Sequence, residues 1–285
     1  MPNSLSRSPL SPRPSRAAYA ACGAVLALTT IACDSGERRR YEVIDWNAPV
    51  ASGHWIRVRN TSGSVRVRRA DGPVATVRVE SRTRPRKSDL HVVIDSAEDG
   101  NYVVCAVLSR GARCDEEGYR MGSRSFWNRI RFMGGMRSPQ ADFTVLVPAG
   151  TNIDASSING GITIEDASGT VVAKTVNGGI RADAGAATSF TATTVNGGIT
   201  VKVDSLTGDG DLTLKTVNGS VTAELPPTLN ADVHLETVNG RLTTDYPLTV
   251  NGKLNPRRLD ATVGEGGRNL TIKTVNGSVR LAKRE

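Results

Sequence analysis

The second half of the chain alternates apolar and polar residues with a period of two, in short runs that repeat the same four residues. The tetrapeptide Thr-Val-Asn-Gly, or a close variant, places its asparagine at Asn159, Asn177, Asn196, Asn218, Asn239 and Asn276. On both sides of each asparagine, every second position is mainly Val, Ile, Leu or Ala, with Thr, Lys or Arg between. This alternation is typical of strands with one buried face. Each repeat is therefore predicted to be two short strands joined at Asn-Gly.

The Asn-Gly step predicts a sharp change of chain direction, because asparagine tolerates and glycine favours positive φ. We therefore expect alanine at Gly197 or Gly219 to destabilise the fold. Two residues before each asparagine stands a hydroxyl residue that the alternation directs to the apolar side. These residues are Ser157, Thr175, Thr194, Thr216, Thr237 and Thr274. A buried hydroxyl without a partner costs about 1–3 kcal/mol, so each of them is expected to form a hydrogen bond.

An all-β protein with a single-stack β-solenoid, or β-helix, is the fold that this repeat favours. The first five asparagines are 18, 19, 22 and 21 residues apart, which gives one coil per repeat. In a solenoid like positions stack about 4.8 Å apart, so amides and hydroxyls can bond to their counterparts in neighbouring coils as ladders. An antiparallel meander or barrel with Asn-Gly hairpins is the alternative. The stack is favoured because it rewards identical side chains at every coil, whereas a meander does not.

The parts of the chain outside the regular repeats are predicted to be β structure as well. Residues 151–285 hold the solenoid repeats, and the long last gap, which contains Val250-Asn251-Gly252, predicts a degenerate coil with a loop. Residues 41–150 contain further alternating runs, and the segment from Asn60 to Val67 resembles a coil without the full motif. A terminal coil must protect an exposed sheet edge, so this segment is expected to act as an atypical cap.

The chain resembles a known bacterial family over roughly residues 55–282. The resemblance is carried by the run Ala141-Asp-Phe-Thr-Val-Leu-Val-Pro-Ala-Gly150, the spaced Asn-Gly coils and the closing segment from Gly264 to Gly277. These features resemble the bacterial putative-adhesin family with a β-helical head, whose members are often envelope lipoproteins. The resemblance implies a β-helical fold and supplies no catalytic residues.

The N-terminus predicts export and a lipid anchor. A basic segment from Arg7 to Arg16 precedes an apolar stretch from Ala17 to Ala32 that is short for a membrane span. Residues 1–32 therefore resemble a lipoprotein signal peptide, with Cys33 as the acylated residue and residues 33–40 as a polar tether. Thr30 stands where such signals usually have leucine, and cleavage after Ala32 by an ordinary signal peptidase is the alternative. Either route places the protein in the cell envelope, and the first anchors it to a membrane.

The remaining cysteines of the exported chain favour one disulfide. With Cys33 acylated, Cys105 and Cys114 are left as a pair, and disulfides persist in oxidising compartments. A bridge between them would close a short loop and stabilise the fold by about 2–3 kcal/mol. Two reduced, inert thiols are the alternative.

Residues 111–139 interrupt the alternation and combine arginine with aromatic residues. This composition is typical of a contact with a sugar, an anion or a protein, and an insertion packed over the end of the stack is the alternative. The candidate partner-binding residues are Arg120, Arg124, Phe126, Trp127, Arg129, Arg131 and Phe132.

Candidate chemistry is sparse elsewhere. The three histidines are isolated, and the chain has no His-Glu-x-x-His, nucleophile elbow, Walker-type loop or Cys-x-x-Cys motif. Asp204, Asp209 and Asp211 form a small acidic cluster, but they supply too few oxygens for calcium and suit a coil corner. We therefore expect no catalytic residue, metal or cofactor.

The formal net charge of +8 suits contact with anionic lipid or acidic glycan. The absence of a recognised reader motif argues against nucleic acid. The sequence thus favours a non-enzymatic envelope lipoprotein that presents a solenoid for adhesion, scaffolding or ligand contact, with a glycan or an envelope protein as partner. An accessory or sensor protein of an envelope signalling system is the first alternative. A polysaccharide-active β-helix enzyme is the second, and the lack of paired carboxylates on neighbouring coils weakens it.

Overall fold

Alternating apolar and polar residues form strands throughout the part of the chain that the computed structural model describes. These residues are 41–81, 90–96, 99–107, 113–115, 118–120, 140–250 and 255–285. The strands are β1 Tyr41–Pro49, β2 Trp55–Ser62, β3 Val65–Arg69, β4 Val74–Ser81, β5 His91–Ser96, β6 Tyr102–Val107, β7 Arg113–Asp115, β8 Gly118–Arg120, β9 Ala141–Val147, β10 Asn152–Asn159, β11 Ile162–Glu165, β12 Ser168–Asn177, β13 Ile180–Thr193, β14 Ile199–Leu206, β15 Leu212–Lys215, β16 Val221–Leu225, β17 Ala231–Asn239, β18 Leu242–Thr244, β19 Thr249–Val250, β20 Arg258–Val263, β21 Arg268–Asn276 and β22 Val279–Lys283. Within these ranges, no helix has the length and apolarity needed to cross a membrane.

Successive repeats pair as parallel strands in register, which confirms the solenoid and excludes the meander. Ile153 lies opposite Val171 and Asn159 opposite Asn177 between β10 and β12, and Ile162 lies opposite Ile180 between β11 and β13. In such a stack each strand hydrogen-bonds to the coils on both sides of it, so like residues line up along the solenoid axis. Each coil, called a rung below, contributes one strand before its Asn-Gly corner and one after it.

The order of the rungs differs from their order in the chain at both ends. In stack order, rung 1 is β6 with β9, rung 2 is β2 with β3, rung 3 is β10 with β11, rung 4 is β12 with the first half of β13, rung 5 is the second half of β13 with β14, rung 6 is β15 with β16, rung 7 is β21 with β22, and rung 8 is β17 with β18. The strands before the corners form the front face, and the strands after the corners form the rear face. The first coil of the chain and the last coil therefore both lie inside the stack.

The last part of the chain departs in two ways from a simple run of repeats. In a simple solenoid, coils stack in chain order, and they do so here from Asn159 to Asn218, but Asn276 lies between Asn218 and Asn239. The long last gap does not form a degenerate coil either. Its strands β19 and β20 run antiparallel, and β20 pairs with β17 along the outer edge of rung 8. An antiparallel cover satisfies edge hydrogen bonds that another coil would otherwise have to satisfy.

Antiparallel strands also cover the other end of the stack. In rung 1, β5 pairs with β6 on the front face, while β4 pairs with β9 on the rear face and carries β1 beyond it. The coil-like segment from Asn60 to Val67 lies in rung 2, one position inside this end. Asn60 stands where the regular rungs have threonine, and its Nδ2 donates to the carbonyls of Gly63 and Ala141. It thus bonds across to rung 1, which lacks the repeat motif.

The core is a thin column of stacked aliphatic side chains between the two faces. Ile, Val, Leu and Ala fill most inward positions, and Phe143 and Phe190 are the largest side chains that are fully buried. At the corners, in the stack order Asn159, Asn177, Asn196, Asn218, Asn276 and Asn239, each asparagine after the first donates from Nδ2 to Oδ1 of the preceding asparagine, over 2.8–2.9 Å. Because every inward position repeats from rung to rung, the stack needs no large globular core.

The buried hydroxyls have partners, but these are not the equivalent hydroxyls of the next rung. Thr194 Oγ1 donates to the carbonyl oxygen of Gly178 at 2.9 Å, and Thr216 Oγ1 donates to that of Gly197 at 2.9 Å. Thr175, Thr237 and Thr274 make the same bond to glycine in their neighbouring rungs. The predicted hydroxyl ladder was therefore wrong, because each of these hydroxyls donates to the glycine carbonyl of the adjacent corner instead.

The glycine after each asparagine is required for space rather than for positive φ. None of these six glycines has a positive φ, so the predicted left-handed corner was wrong. A Cβ on Gly197 would lie 2.2 Å from the carbonyl oxygen of Gly178, and one on Gly219 would lie 2.1 Å from that of Gly197. The adjacent rungs approach each other too closely at this point for any side chain.

Alanine at Gly197 should destabilise the protein much more than alanine at the next residue. We expect Gly197→Ala to lower the free energy of unfolding by about 3 kcal/mol, the upper part of the range for overpacking, because a backbone atom blocks the new methyl group. In Gly198→Ala the nearest atom is 3.2 Å away, and the equivalent position of rung 6 is already Ser220. This control should change stability by less than about 1 kcal/mol in denaturant unfolding. Equal losses in the two variants would contradict the close approach.

Candidate functional site

A continuous row of exposed aliphatic side chains runs along the front face beside the asparagine ladder. The valine of each Thr-Val-Asn-Gly repeat points outward, and its side chain stays 38–47% exposed. In stack order the row is Ile158, Val176, Val195, Val217, Val275 and Val238. Stacking in register turns one exposed residue per coil into a linear apolar surface. Contiguous exposed apolar surface is typical of interaction sites.

The row ends at rung 2 in a cavity of about 370 Å³, within the size range of small-molecule sites. Arg59, Thr61, Asp154 and Lys174 are among its polar lining residues, and Ile158 and Val176 form an apolar wall. The parallel register of β2, β10 and β12 brings these residues together. Arg59 of β2 lies opposite Ser156 of β10, so residues from three adjacent rungs converge on the front face.

Arg59 and Asp154 form a mostly buried ion pair in the polar part of the cavity lining. Arg59 Nη2 donates to Asp154 Oδ2 at 2.6 Å, and Arg59 Nη1 donates to the Asp154 carbonyl oxygen at 3.1 Å. Their side chains are only 10% and 17% exposed, although they occupy outward positions of the sheet. Arg59 thus bonds to both the carboxylate and the backbone carbonyl of Asp154, and these two charge-assisted bonds fix the orientation of the guanidinium. The pair therefore forms a rigid polar surface inside the cavity.

Two oxygen atoms of the cavity residues have no hydrogen-bond partner. They are Thr61 Oγ1 and Asp154 Oδ1, and both are buried. A buried polar atom without a partner costs about 1–3 kcal/mol, so native proteins usually pair it with water or with a ligand. With the exposed ammonium group of Lys174 and the apolar wall, the cavity offers acceptors, a cation and a flat aliphatic surface. A sugar ring, with hydroxyls at its edge and C–H groups on its face, matches these features.

A second cluster of charges lies at the opposite end of the front face. His234 on β17 contacts Asp260 through Nδ1 and Glu236 through Nε2, the latter at 3.2 Å. The hydrogen bond from Lys273, followed by that from His234, holds the pKa of Glu236 below its usual value. The hydrogen bond from His234, followed by that from Arg258, lowers the pKa of Asp260. The cluster joins β20 to β17 and β21, so it fastens the antiparallel cover to the stack.

The structure settles the placement of only some residues singled out from the sequence. Cys33 and residues 121–139, with Arg124, Phe126, Trp127, Arg129, Arg131 and Phe132, lie outside the described residues. Arg120 ends β8, which forms a two-stranded antiparallel sheet with β7. Cys105 and Cys114 are joined as a disulfide, with their Cα atoms 6.3 Å apart.

The acidic cluster around Gly208 makes protein contacts. Asp211 Oδ1 accepts from the backbone and side-chain nitrogens of Asn269, and Asp204 pairs with Arg284 at 2.5 Å. Within the described ranges, no group of three or more His, Cys, Asp or Glu side chains is arranged to hold a metal ion. Asp211 thus bonds the start of rung 6 to rung 7, and Asp204 bonds rung 5 to Arg284, which follows β22 of rung 7.

Sequence reasoning missed the Arg59–Asp154 cavity. A usable signal was present, because alignment of the coil from Trp55 to Val67 with β10 and β11 would have put Arg59 and Asp154 on adjacent outward positions. The missing Asn-Gly in rung 2 concealed that alignment.

A family model for Toastrack DUF4097 matches residues 56–282, which is most of the chain and nearly all of the solenoid. The chain belongs to the Toastrack DUF4097 family. No curated protein matches its sequence.

A solved structure shares the fold of this chain at low sequence identity. A putative cell adhesion protein from Clostridium sporogenes is similar with a TM-score of 0.50 and 8% identity, over 85% of this chain and 99% of that chain. A putative adhesin from Bacteroides fragilis covers 87% of this chain and 98% of its own length, with 10% identity and a TM-score of 0.29. At 8% identity, the likeness to the Clostridium sporogenes protein concerns the fold alone.

The His234 cluster predicts a specific dependence of stability on acid. In His234→Phe both carboxyl groups lose a hydrogen bond, so their pKa values should rise towards 4.5 for Glu236 and 3.8 for Asp260. A carboxyl group with a lowered folded-state pKa stabilises the fold above its unfolded pKa and loses that contribution as the pH falls. The difference in Tm between the wild type and the variant should be complete just above pH 4.5 and should shrink below pH 3.8. Thermal unfolding over a pH series measures it, and a difference that grows on acidification would contradict this account.

Proposed function

We propose that this Toastrack protein is a non-enzymatic lipoprotein of the cell envelope, anchored through Cys33, which binds glycan at the front face of its solenoid. The observation that carries the proposal is the cavity at Arg59 and Asp154, which continues into the exposed valine row. A rigid scaffold with a linear, regularly spaced face suits a linear partner, because equivalent contacts recur at each rung.

The chemistry of the cavity supports binding rather than catalysis. Its described lining contains one carboxylate, Asp154, and Arg59 already engages one oxygen of that group. Glycoside hydrolysis by the common mechanisms needs two carboxylates on opposite sides of the bond that breaks. A single carboxylate paired with a guanidinium can orient a sugar hydroxyl, and Ile158 and Val176 can pack against the sugar ring. Recognition through a few polar groups and an apolar surface is the usual design of a ligand site.

The envelope location is supported by the N-terminal sequence and by the disulfide. The Cys105–Cys114 bridge suits an oxidising compartment, which export through a signal peptide would provide. A lipid on Cys33 together with the polar residues 34–40 would hold the solenoid close to a membrane surface. A single signal sequence would in this way determine both compartment and attachment.

Cys33→Ser should release the protein from the membrane. Cells that express the wild type and are supplied with labelled fatty acid should show label on this protein in the membrane fraction. The variant should carry no label and should appear in the soluble fraction or keep its signal peptide, because the acylated thiol is gone. Cys22→Ser is the matched control and should behave like the wild type. Label that persists in Cys33→Ser would contradict the anchor.

The glycan site can be tested with two matched double variants. The pentapeptide Lys-Thr-Val-Asn-Gly occurs at residues 174–178 beside the cavity and again at residues 215–219 away from it. We expect Lys174→Ala with Val176→Ser to weaken binding to immobilised oligosaccharides at least tenfold, a loss typical of one charge-assisted hydrogen bond of about 1.5–3 kcal/mol. The pair Lys215→Ala with Val217→Ser should bind like the wild type.

The two double variants distinguish a site at the cavity from binding along the whole valine row. Equal losses in both double variants would assign binding to the whole valine row and would contradict a site at the cavity. No binding of any oligosaccharide by the wild type, in a preparation with the expected Tm, would contradict glycan as the partner. Deletion of Met121 to Met136 then tests the insertion separately: unchanged folding and binding would exclude it as the partner-binding element.

A further inference from the structure

The six Asn-Gly corners of the ladder differ in one bond that matters for their chemistry. In five of them the glycine N–H donates to the carbonyl oxygen of the next ladder asparagine, over 2.9–3.0 Å. The donors are Gly160, Gly178, Gly197, Gly219 and Gly277. Gly240 belongs to rung 8, which has no further coil beyond it, and its N–H has no acceptor in the described part of the chain.

The antiparallel cover stops short of this last corner. β20 pairs with β17 as far as Glu236, and the N–H of Thr237 donates to the carbonyl of Arg257. Asn239 and Gly240 lie beyond these bonds and are both exposed, whereas the other five glycines are half-buried. The side chain of Asn239 makes one bond, from Nδ2 to Asn276 Oδ1 at 2.8 Å. The end of the ladder is thus open to solvent on its outer side.

We propose that the bond between Asn239 and Gly240 is the site at which the solenoid deamidates spontaneously. The Gly240 nitrogen gives its proton to a solvent base and attacks Cγ of Asn239. The new C–N bond closes a succinimide ring, the bond from Cγ to Nδ2 breaks, and Nδ2 leaves as ammonia. Water then adds to either ring carbonyl and opens the ring to aspartate or isoaspartate. One water is consumed and one ammonia is released, without an oxidant, a reductant or a cofactor.

The same sequence in the inner rungs is protected by the stack. There the attacking nitrogen is a hydrogen-bond donor, and the asparagine side chain is held by ladder bonds to both neighbours. Ring closure also requires the asparagine backbone to leave its extended conformation, so these bonds must open first. Opening is least costly at the ends of cooperative structure and most costly inside it. Identical dipeptides should therefore react at very different rates.

The two ends of the ladder are not equivalent. At the opposite end, Gly160 donates to Asn177 O at 3.0 Å, and Asn159 Oδ1 accepts from Asn177 Nδ2 at 2.9 Å. The direction of the inter-rung bonds therefore leaves a free glycine N–H only in rung 8. This polarity makes Asn159 an internal control that shares the Asn-Gly dipeptide and the exposed position of Asn239.

Deamidation at Asn239 should weaken the next rung. The product carboxylate can no longer donate to Asn276 Oδ1, and isoaspartate adds a methylene group to the backbone at the corner. The N–H of Gly277 donates to the carbonyl of Asn239, so a disturbed corner also loosens the protection of Asn276. The modification is expected to proceed inward from this end, with Asn276 as the second site.

The experiment follows each Asn-Gly site in the purified full-length chain by peptide mass spectrometry during incubation at mildly alkaline pH. We expect conversion at Asn239 to be at least about tenfold faster than at any of the other five ladder asparagines, because of its lower opening cost. In the urea-unfolded chain all six should convert at similar rates. Asn251, which also precedes glycine and lies outside the described residues, is quantified separately. Equal rates at the six sites of the folded protein, or slower conversion at Asn239, would overturn the proposal.

A pair of variants tests the cause. Asn239→Asp removes the donor to Asn276, whereas Asn159→Asp keeps the acceptor for Asn177. We expect conversion of Asn276 to rise about threefold or more in Asn239→Asp, because its corner opens more often. Conversion of Asn177 should stay unchanged in Asn159→Asp. Equal responses in the two variants would show that ladder polarity does not control the reaction.

Discussion

The close approach of neighbouring rungs at the Asn-Gly corner is the constraint on which the rest of this Toastrack structure depends. Between each pair of neighbouring corners in the ladder, three bonds cross the same gap: asparagine side chain to asparagine side chain, glycine N–H to asparagine carbonyl, and threonine hydroxyl to glycine carbonyl. A glycine Cβ would lie only 1.8–2.3 Å from the facing carbonyl oxygen, so no other residue fits. The repeat is conspicuous in the sequence because its threonine, asparagine and glycine each supply one of these contacts.

The same constraint explains how the stack is closed. A column of identical rungs has two open ends, each with unsatisfied backbone groups that could pair with another chain. Among the described residues, antiparallel strands cover both faces of rung 1 and the front face of rung 8, and the first and last coils of the chain are placed one rung inside these ends. Chain termini usually fray, whereas here the last coil is held on both sides, by β15 and β16 on one side and β17 and β18 on the other.

Much of the fold could be predicted from the sequence, because alternation and the Asn-Gly repeat are local signals. The strands of the regular rungs, the apolar core positions and the asparagine ladder follow from them directly. The rung order could not be predicted, since Lys-Thr-Val-Asn-Gly occurs at residues 174–178, 215–219 and 273–277 and fits any neighbour equally well. The role of glycine was assigned to backbone conformation, and only the inter-rung distance shows that it concerns space.

The candidate site was harder to predict for a related reason. Its residues come from three rungs, and one of them, rung 2, lacks the motif that would have aligned it with the others. The cavity at Arg59 and Asp154 therefore became visible only when register placed those rungs side by side. The site depends on the order of the rungs, and the unequal ends of the ladder depend on the direction of the bonds between rungs. Neither property can be read from the sequence of a single repeat.

Engineered disulfides test the rung order most directly. Val217→Cys and Val275→Cys lie on adjacent rungs, about 4.8 Å apart, whereas Val217→Cys and Val238→Cys lie two rungs apart, about 9.6 Å. A disulfide requires Cα atoms closer than about 7 Å. Interleaving of the last coil predicts rapid cross-linking of the first pair and none of the second under mild oxidation. Cross-linking of Val217→Cys with Val238→Cys, and not with Val275→Cys, would contradict it.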